Sequence, residues 1–103
     1  MTTFDDRKDA FENKFAHDEE LRFKATARRN KLLGLWAAEK LGKSGADAEA
    51  YAQSVVLADF EEPGDADVFR KVRGDLDASV TDVEIRTQMD TLLARAIEEV
   101  KTQ

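Results

Sequence analysis

What most constrains this chain is how rarely its helix breakers occur and where they fall. The 103 residues include five glycines and a single proline. The strong interruptions sit in three places: Gly42-Lys43-Ser44-Gly45, Pro63-Gly64-Asp65, and the stretch from Gly74 to Thr81. Glycine opens left-handed backbone, and proline removes an N–H while fixing φ, so each stops a helix for its own reason. Between the interruptions, apolar residues recur at helical rather than alternating spacing. Abundant Ala, Leu, Glu, Lys and Arg favour the same conformation. The expectation is an all-α fold, a small helical bundle of about four helices with one modest core, carrying a mobile or weakly docked N-terminal helical segment. The division implied is residues 1–18 as the segment and residues 19–103 as the bundle.

Four stretches supply the apolar faces. Glu19 to about Leu41 reads as a central helix, with Leu21, Ala25, Leu32, Leu35 and Trp36 on one side and Phe23, Ala27, Gly34, Ala38 and Leu41 on the other. Two apolar sides require more than one neighbour, and Gly42 is placed to end the helix. A third helix is expected from an Asp47 N-cap to Phe60, burying Ala48, Tyr51, Ala52, Val55 and Val56. Asp65 can cap a short helix carrying Val68, Phe69, Val72 and Leu76. Thr81-Asp82-Val83-Glu84 matches the capping box, in which the Thr hydroxyl and the Glu side chain satisfy free amides of the first turn. Ile85, Met89, Leu92, Leu93, Ala96 and Val100 then mark an amphipathic last helix.

Upstream of these, Phe4, Phe11 and Phe15 fall within an arc of roughly 40° at helical pitch, a stripe one side chain wide. Thr3 can cap that helix, and Asp5 and Asp6 suit its dipole. A stripe so narrow buries little, and isolated helices below about 12–15 residues are marginal. The pattern leaves two readings open: ordinary core packing, or a helix that inserts into a groove on another protein.

The net charge of −6 is uneven. Residues 1–20 carry −4, residues 21–43 carry +6, and residues 44–103 carry −8. A basic helix between acidic segments predicts internal pairing first and an anionic partner second. Its run of Arg22, Lys24, Arg28, Arg29 and Lys31 is the candidate contact for a nucleotide or another anion. Nucleic acid is disfavoured because the chain is acidic overall and offers no base-stacking platform.

No catalytic constellation stands out. His17 is the lone histidine, beside Asp18, Glu19 and Glu20 but without a metal-binding spacing. Gly42-Lys43-Ser44 looks like the end of a phosphate loop, yet the first glycine of that motif would fall on Ala37. Asp59 to Asp65 carries part of a calcium-loop pattern, with Arg70 where the closing bidentate acid belongs. With no cysteine there is neither a disulfide framework nor a thiolate metal site. No metal or cofactor is expected, apart from weak adenine-nucleotide binding. The N-terminus has no secretory pattern, and nothing approaches a membrane span, so a cytoplasmic, non-enzymatic protein is expected.

One resemblance goes further. Thr3-Phe4-Asp5-Asp6-Arg7, Lys14-Phe15-Ala16-His17-Asp18, Phe23-Lys24-Ala25 and Ala27-Arg28-Arg29-Asn30-Lys31-Leu32-Leu33-Gly34 carry it. It continues through Trp36-Ala37-Ala38, Ala50-Tyr51-Ala52, Asp59-Phe60-Glu61-Glu62-Pro63-Gly64-Asp65 and Asp67-Val68-Phe69-Arg70-Lys71. These strings resemble the zeta subunit family, inhibitors of bacterial F-type ATP synthases. Coverage is nearly continuous from Thr3 to about Lys71, and the last helix matches in pattern more than in residues. The resemblance implies a helical bundle with a mobile inhibitory N-terminal segment. That segment would enter an interface between catalytic and non-catalytic subunits of the catalytic head, near the rotor, and stop rotation driven by ATP hydrolysis. Phe4, Arg7, Phe11, Lys14 and Phe15 are the implied contacts. The free protein is expected to be a monomer, reaching the cytoplasmic face of the membrane only through the synthase. The competing expectations are a small adenine-nucleotide-sensing module and a non-inhibitory assembly adaptor.

Overall fold

The computed structural model describes residues 19–59 and 65–101. Within them the chain forms four helices and no strand: α1 (Glu19–Lys40), α2 (Gly45–Ala58), α3 (Ala66–Asp75) and α4 (Asp82–Lys101). The expected Thr3 cap, the phenylalanine stripe and the N-terminal segment lie outside the described residues.

α1 is the axis of the bundle. It packs against each of the other three helices, α3 also touches α2 and α4, and α2 and α4 do not touch each other. The core joins Leu33 and Ala37 of α1 to Val55 of α2, Val68 and Val72 of α3, and Ile85, Met89 and Leu92 of α4. Leu76 and Val80 close it from the turn between α3 and α4. The two-sided reading of the central helix therefore holds, with Gly34 and Ala38 buried on the second side as expected. Two positions differ. Leu33, left out of both expected faces, is fully buried, whereas Phe23, placed on the second, is 59 % exposed. The fully buried row is Ala25, Arg29, Leu33 and Ala37, spaced four apart, and a polar member hides it from any apolar count.

The helix ends follow local chemistry. Gly42 adopts φ +76. The Lys43 N–H then donates to the Ala38 carbonyl at 2.9 Å and the Gly42 N–H to the Glu39 carbonyl at 3.1 Å. These two bonds are the glycine C-cap that terminates α1. α2 begins at Gly45 with Ser44 in the N-cap position, so Asp47 is a first-turn acid rather than the cap, and the helix stops at Ala58 rather than Phe60. Both Ser44 and Asp47 are cap-type residues, and sequence alone does not choose between neighbours of this kind. Asp65 occupies the N-cap position of α3 but makes no capping bond; its carboxylate is turned to Arg29 instead. At α4, the Glu84 N–H donates to the Thr81 hydroxyl at 3.1 Å, the bond expected of the capping box.

Candidate functional site

The basic stretch of α1 does not present one surface. At about 100° per residue, Arg22 and Arg29 lie together on one side, and Lys24, Arg28 and Lys31 on the other. Most of these side chains pair within the bundle. Lys24 Nζ lies 3.2 Å from Glu20 of its own helix, Arg28 3.4 Å from Glu99 of α4, and Lys31 3.8 Å from Glu49 of α2. Internal charge complementarity is therefore present, tying α1 to two neighbours through half-exposed pairs that each contribute well under about 1 kcal/mol.

Arg29 differs in kind. Only 2 % exposed, it donates from Nε to Asn30 Oδ1 at 2.7 Å and from Nη2 to Asp65 Oδ1 at 2.6 Å. Its place in the candidate anion run is corrected: this guanidinium is an internal strut from α1 to the start of α3. Asn30 is fully buried beside it, and its Nδ2 faces the Asp59 carboxylate without closing a well-formed hydrogen bond. At the start of α3, Asp67 is 8 % exposed and accepts from Arg70 at 2.6 Å. Three aspartates and two arginines thus meet where α2 ends and α3 begins.

Burial raises the Asp59 carboxyl above its ordinary 3.8; Asn30 and Arg29 oppose the rise, and Asp65 and Asp67 add to it. An acid with a raised folded pKa keeps its proton in the native state after the unfolded chain has lost its own. Stability at this site therefore falls as pH climbs from the ordinary value through the raised one, and the penalty is complete at neutral pH. Asp59→Asn is expected to stabilise the protein slightly at pH 7, by up to about 0.5 kcal/mol given the partial exposure. The gain should vanish below pH 3.8, where Asp59 is neutral in both states; paired urea titrations at the two pH values check this. Asp75 behaves oppositely. Burial favours its neutral form, but hydrogen bonds from Lys71 and Tyr51 and the Lys71 charge outweigh that and hold its carboxyl below the usual range. The Tyr51 hydroxyl donates to Asp75 at 3.0 Å, and its own pKa is raised by burial and by that carboxylate.

Two open hollows lie along the seam of α1 and α2. One is lined by Arg22, Phe23, Thr26, Ala27 and Asn30 of α1 with Val56 and Asp59. The other is formed by Ala27, Arg28, Lys31, Leu32 and Leu35 opposite Gln53 and Val56. Of the residues singled out by sequence, the structure brings Arg22 to the first and Arg28 and Lys31 to the second, holds Lys24 exposed on α1, and buries Arg29. Phe4, Arg7, Phe11, Lys14 and Phe15 lie outside the described residues. Among the described residues, no three His, Cys, Asp or Glu side chains are grouped to hold a metal. No described helix is long and apolar enough to cross a membrane.

The sequence profile described as ATPase inhibitor subunit zeta matches residues 1–99, nearly the whole chain. The chain belongs to this family. As a zeta-type ATPase inhibitor subunit it is a regulator and not an enzyme, and its partner is an ATP synthase. A protein solved by solution NMR is 55 % identical and superposes with a TM-score of 0.74 over 80 % of this chain and 96 % of that one. The search of curated proteins finds no match. The family match includes the last helix, which on sequence had matched in pattern more than in residues. Sequence reasoning missed the Arg29–Asn30–Asp65 strut. The available signal was a charged residue in the row Ala25–Arg29–Leu33–Ala37, because a buried charge requires a partner.

Proposed function

We propose that this zeta-type subunit blocks ATP hydrolysis by inserting residues 1–18 into an interface between catalytic and non-catalytic subunits of the synthase head, near the rotor. Phe4, Phe11 and Phe15 would anchor the inserted helix, and Arg7 and Lys14 would meet acidic groups at the rim. The observation that carries the reading is the reach of the family match, which runs through the phenylalanine stripe as well as the bundle. Burying the stripe in the partner's groove would offset the entropy of ordering the segment. It would act at the cytoplasmic face of the membrane, held there by the synthase.

The test is ATP hydrolysis by the isolated catalytic head, with the intact protein and with a version lacking residues 1–18. The intact protein is expected to abolish most hydrolysis at saturation, and the shortened one to leave it unchanged. Equal inhibition by both would move the blocking contact into the bundle. No inhibition by the intact protein would remove the reading altogether.

A further inference from the structure

Away from both α1–α2 hollows, the crossing of α3 and α4 presents an arginine that no described carboxylate neutralises. The Arg86 guanidinium lies 4.0 Å from the centre of the Phe69 ring, and the residue is exposed. Among the described residues, no Asp or Glu comes within ion-pairing distance of it. The arginines of α3 differ: Arg70 is held by Asp67, and Arg73 by Asp82. An acid is within reach, since Asp90 stands one turn further along α4. Cation first and acid second is the weaker order for a helical ion pair, and the flat guanidinium takes the aromatic face instead. We propose that this α3–α4 edge is a docking surface for the synthase, taking an acidic side chain that stands beside an apolar patch on the synthase's own surface.

Three features support the assignment. The first is the pinned cation. Phe69 is half-buried and packed against the core, so the ring under Arg86 is fixed. A guanidinium with one face on a ring still projects its N–H groups in its own plane, where their fork matches a carboxylate. A side chain held in this way has little rotamer freedom left to lose on binding. The second is the apolar flank. Val83 is 73 % exposed, more than either Phe23 or Leu57. Val83, Arg86 and Thr87 fall within an arc of about 100° at helical pitch, and all three are exposed. An arginine and an aromatic ring ringed by neutral contacts is the composition found at the energetic centre of protein interfaces. The third is local charge, which selects the partner's chemistry. Asp82, Glu84 and Asp90 all stand within four residues of Arg86. An extended polyanion, such as nucleic acid or an anionic membrane, would meet those three carboxylates along with one guanidinium. A single carboxylate in an apolar setting can be placed against the guanidinium alone. The family's partner is an ATP synthase, and the acid is assigned to it.

Binding of the full-length protein to purified synthase, followed by interferometry at several salt concentrations, tests the proposal. Arg86→Ala is expected to weaken binding about tenfold, and Arg86→Glu to weaken it further. Arg86→Lys should recover little, because an ammonium neither lies flat on the ring nor forks onto a carboxylate. Val83→Asp should weaken binding to a similar degree by setting one acid against another. It spares the fold, since the side chain is exposed and an acid suits the first turn of α4. The salt dependence of binding should be shallower in Arg86→Ala than in the native chain.

Native affinity in Arg86→Glu or in Val83→Asp overturns the proposal. So does a change confined to self-association, because the occupant would then be a second copy. A lower thermal midpoint in Arg86→Ala with no loss of affinity overturns it as well, since the stacking would then serve the fold alone. The contact does not depend on where residues 1–18 go. At saturation, Arg86→Ala should therefore block hydrolysis as fully as the native chain. Should the native chain bind through Arg86 and yet not inhibit, the proposed function fails and the docking surface stands.

Discussion

Replacing Gly34 by alanine is expected to destabilise the protein by about 2 kcal/mol, while the same change at Gly74 stabilises it by about 0.5 kcal/mol. Both glycines are helical, so both gain the same intrinsic preference of alanine over glycine. Space separates them. A Cβ on Gly34 would lie 2.5 Å from the Ala52 Cα and 3.2 Å from its carbonyl oxygen, whereas a Cβ on Gly74 meets nothing within 4 Å. The obstruction at Gly34 is main chain and cannot rotate away. α1 and α2 would have to separate along a contact that also buries Ala37, Ala38 and Val55. Adding Ala52→Gly should rescue little, because the Cα remains. For a domain of this size the Gly34 change corresponds to a fall of roughly 10 °C in the melting midpoint. Thermal and urea unfolding of the two single variants and the pair checks it; a rise in stability at Gly34 would mean that the helices do not cross so closely.

That crossing marks the boundary of what the sequence made legible. Helix existence, the glycine stop at Gly42 and the Thr81 capping box were readable because each is decided within about five residues. The core of α4 was readable for a related reason: its apolar residues keep strict helical spacing, and Ile85, Met89, Leu92, Ala96 and Val100 are all buried. α1 was harder. Arg29 and Asn30 are interior because partners from the far end of α2 and the start of α3 arrive there, and no periodicity within α1 announces those arrivals. Phe23 fails in the other direction, apolar yet exposed at the first of the α1–α2 hollows. As for the candidate site, the phenylalanine stripe was legible as a pattern, but a pattern does not say whether it serves a core or a partner. The resemblance to inhibitor subunits is what makes the partner the proposed reading. The basic run was legible as a charge and not as a surface, since the side chains that divide it lie in other helices.

Loss of the Arg73 side chain is expected to produce the second large effect. Placed at the end of α3, its guanidinium donates to four oxygens across the turn into α4. Nη1 reaches the Val80 carbonyl at 2.6 Å and Asp82 Oδ1 at 2.9 Å; Nη2 reaches the carbonyls of Leu76 at 3.3 Å and Asp77 at 2.8 Å. The stretch from Gly74 to Thr81, read from sequence only as a break, is thus a turn folded around one side chain. Arg73→Ala is expected to cost about 3 kcal/mol. That is less than four charged bonds taken singly, because the turn is partly open to water and some carbonyls can be rehydrated. Arg73→Lys should recover less than half of the loss, since a single ammonium cannot span the fork that the planar guanidinium fills. The loss should be local before it is global. Leu76 and Val80 form one end of the core and are positioned by this turn, so the Val80 amide, bonded to the Asp77 carbonyl at 3.0 Å, should exchange with solvent faster while amides in the middle of α1 keep their protection. Hydrogen exchange on both variants separates this outcome from general loosening. Because the blocking contact is proposed to lie in residues 1–18, Arg73→Ala should also leave inhibition of the synthase intact at temperatures where the variant remains folded.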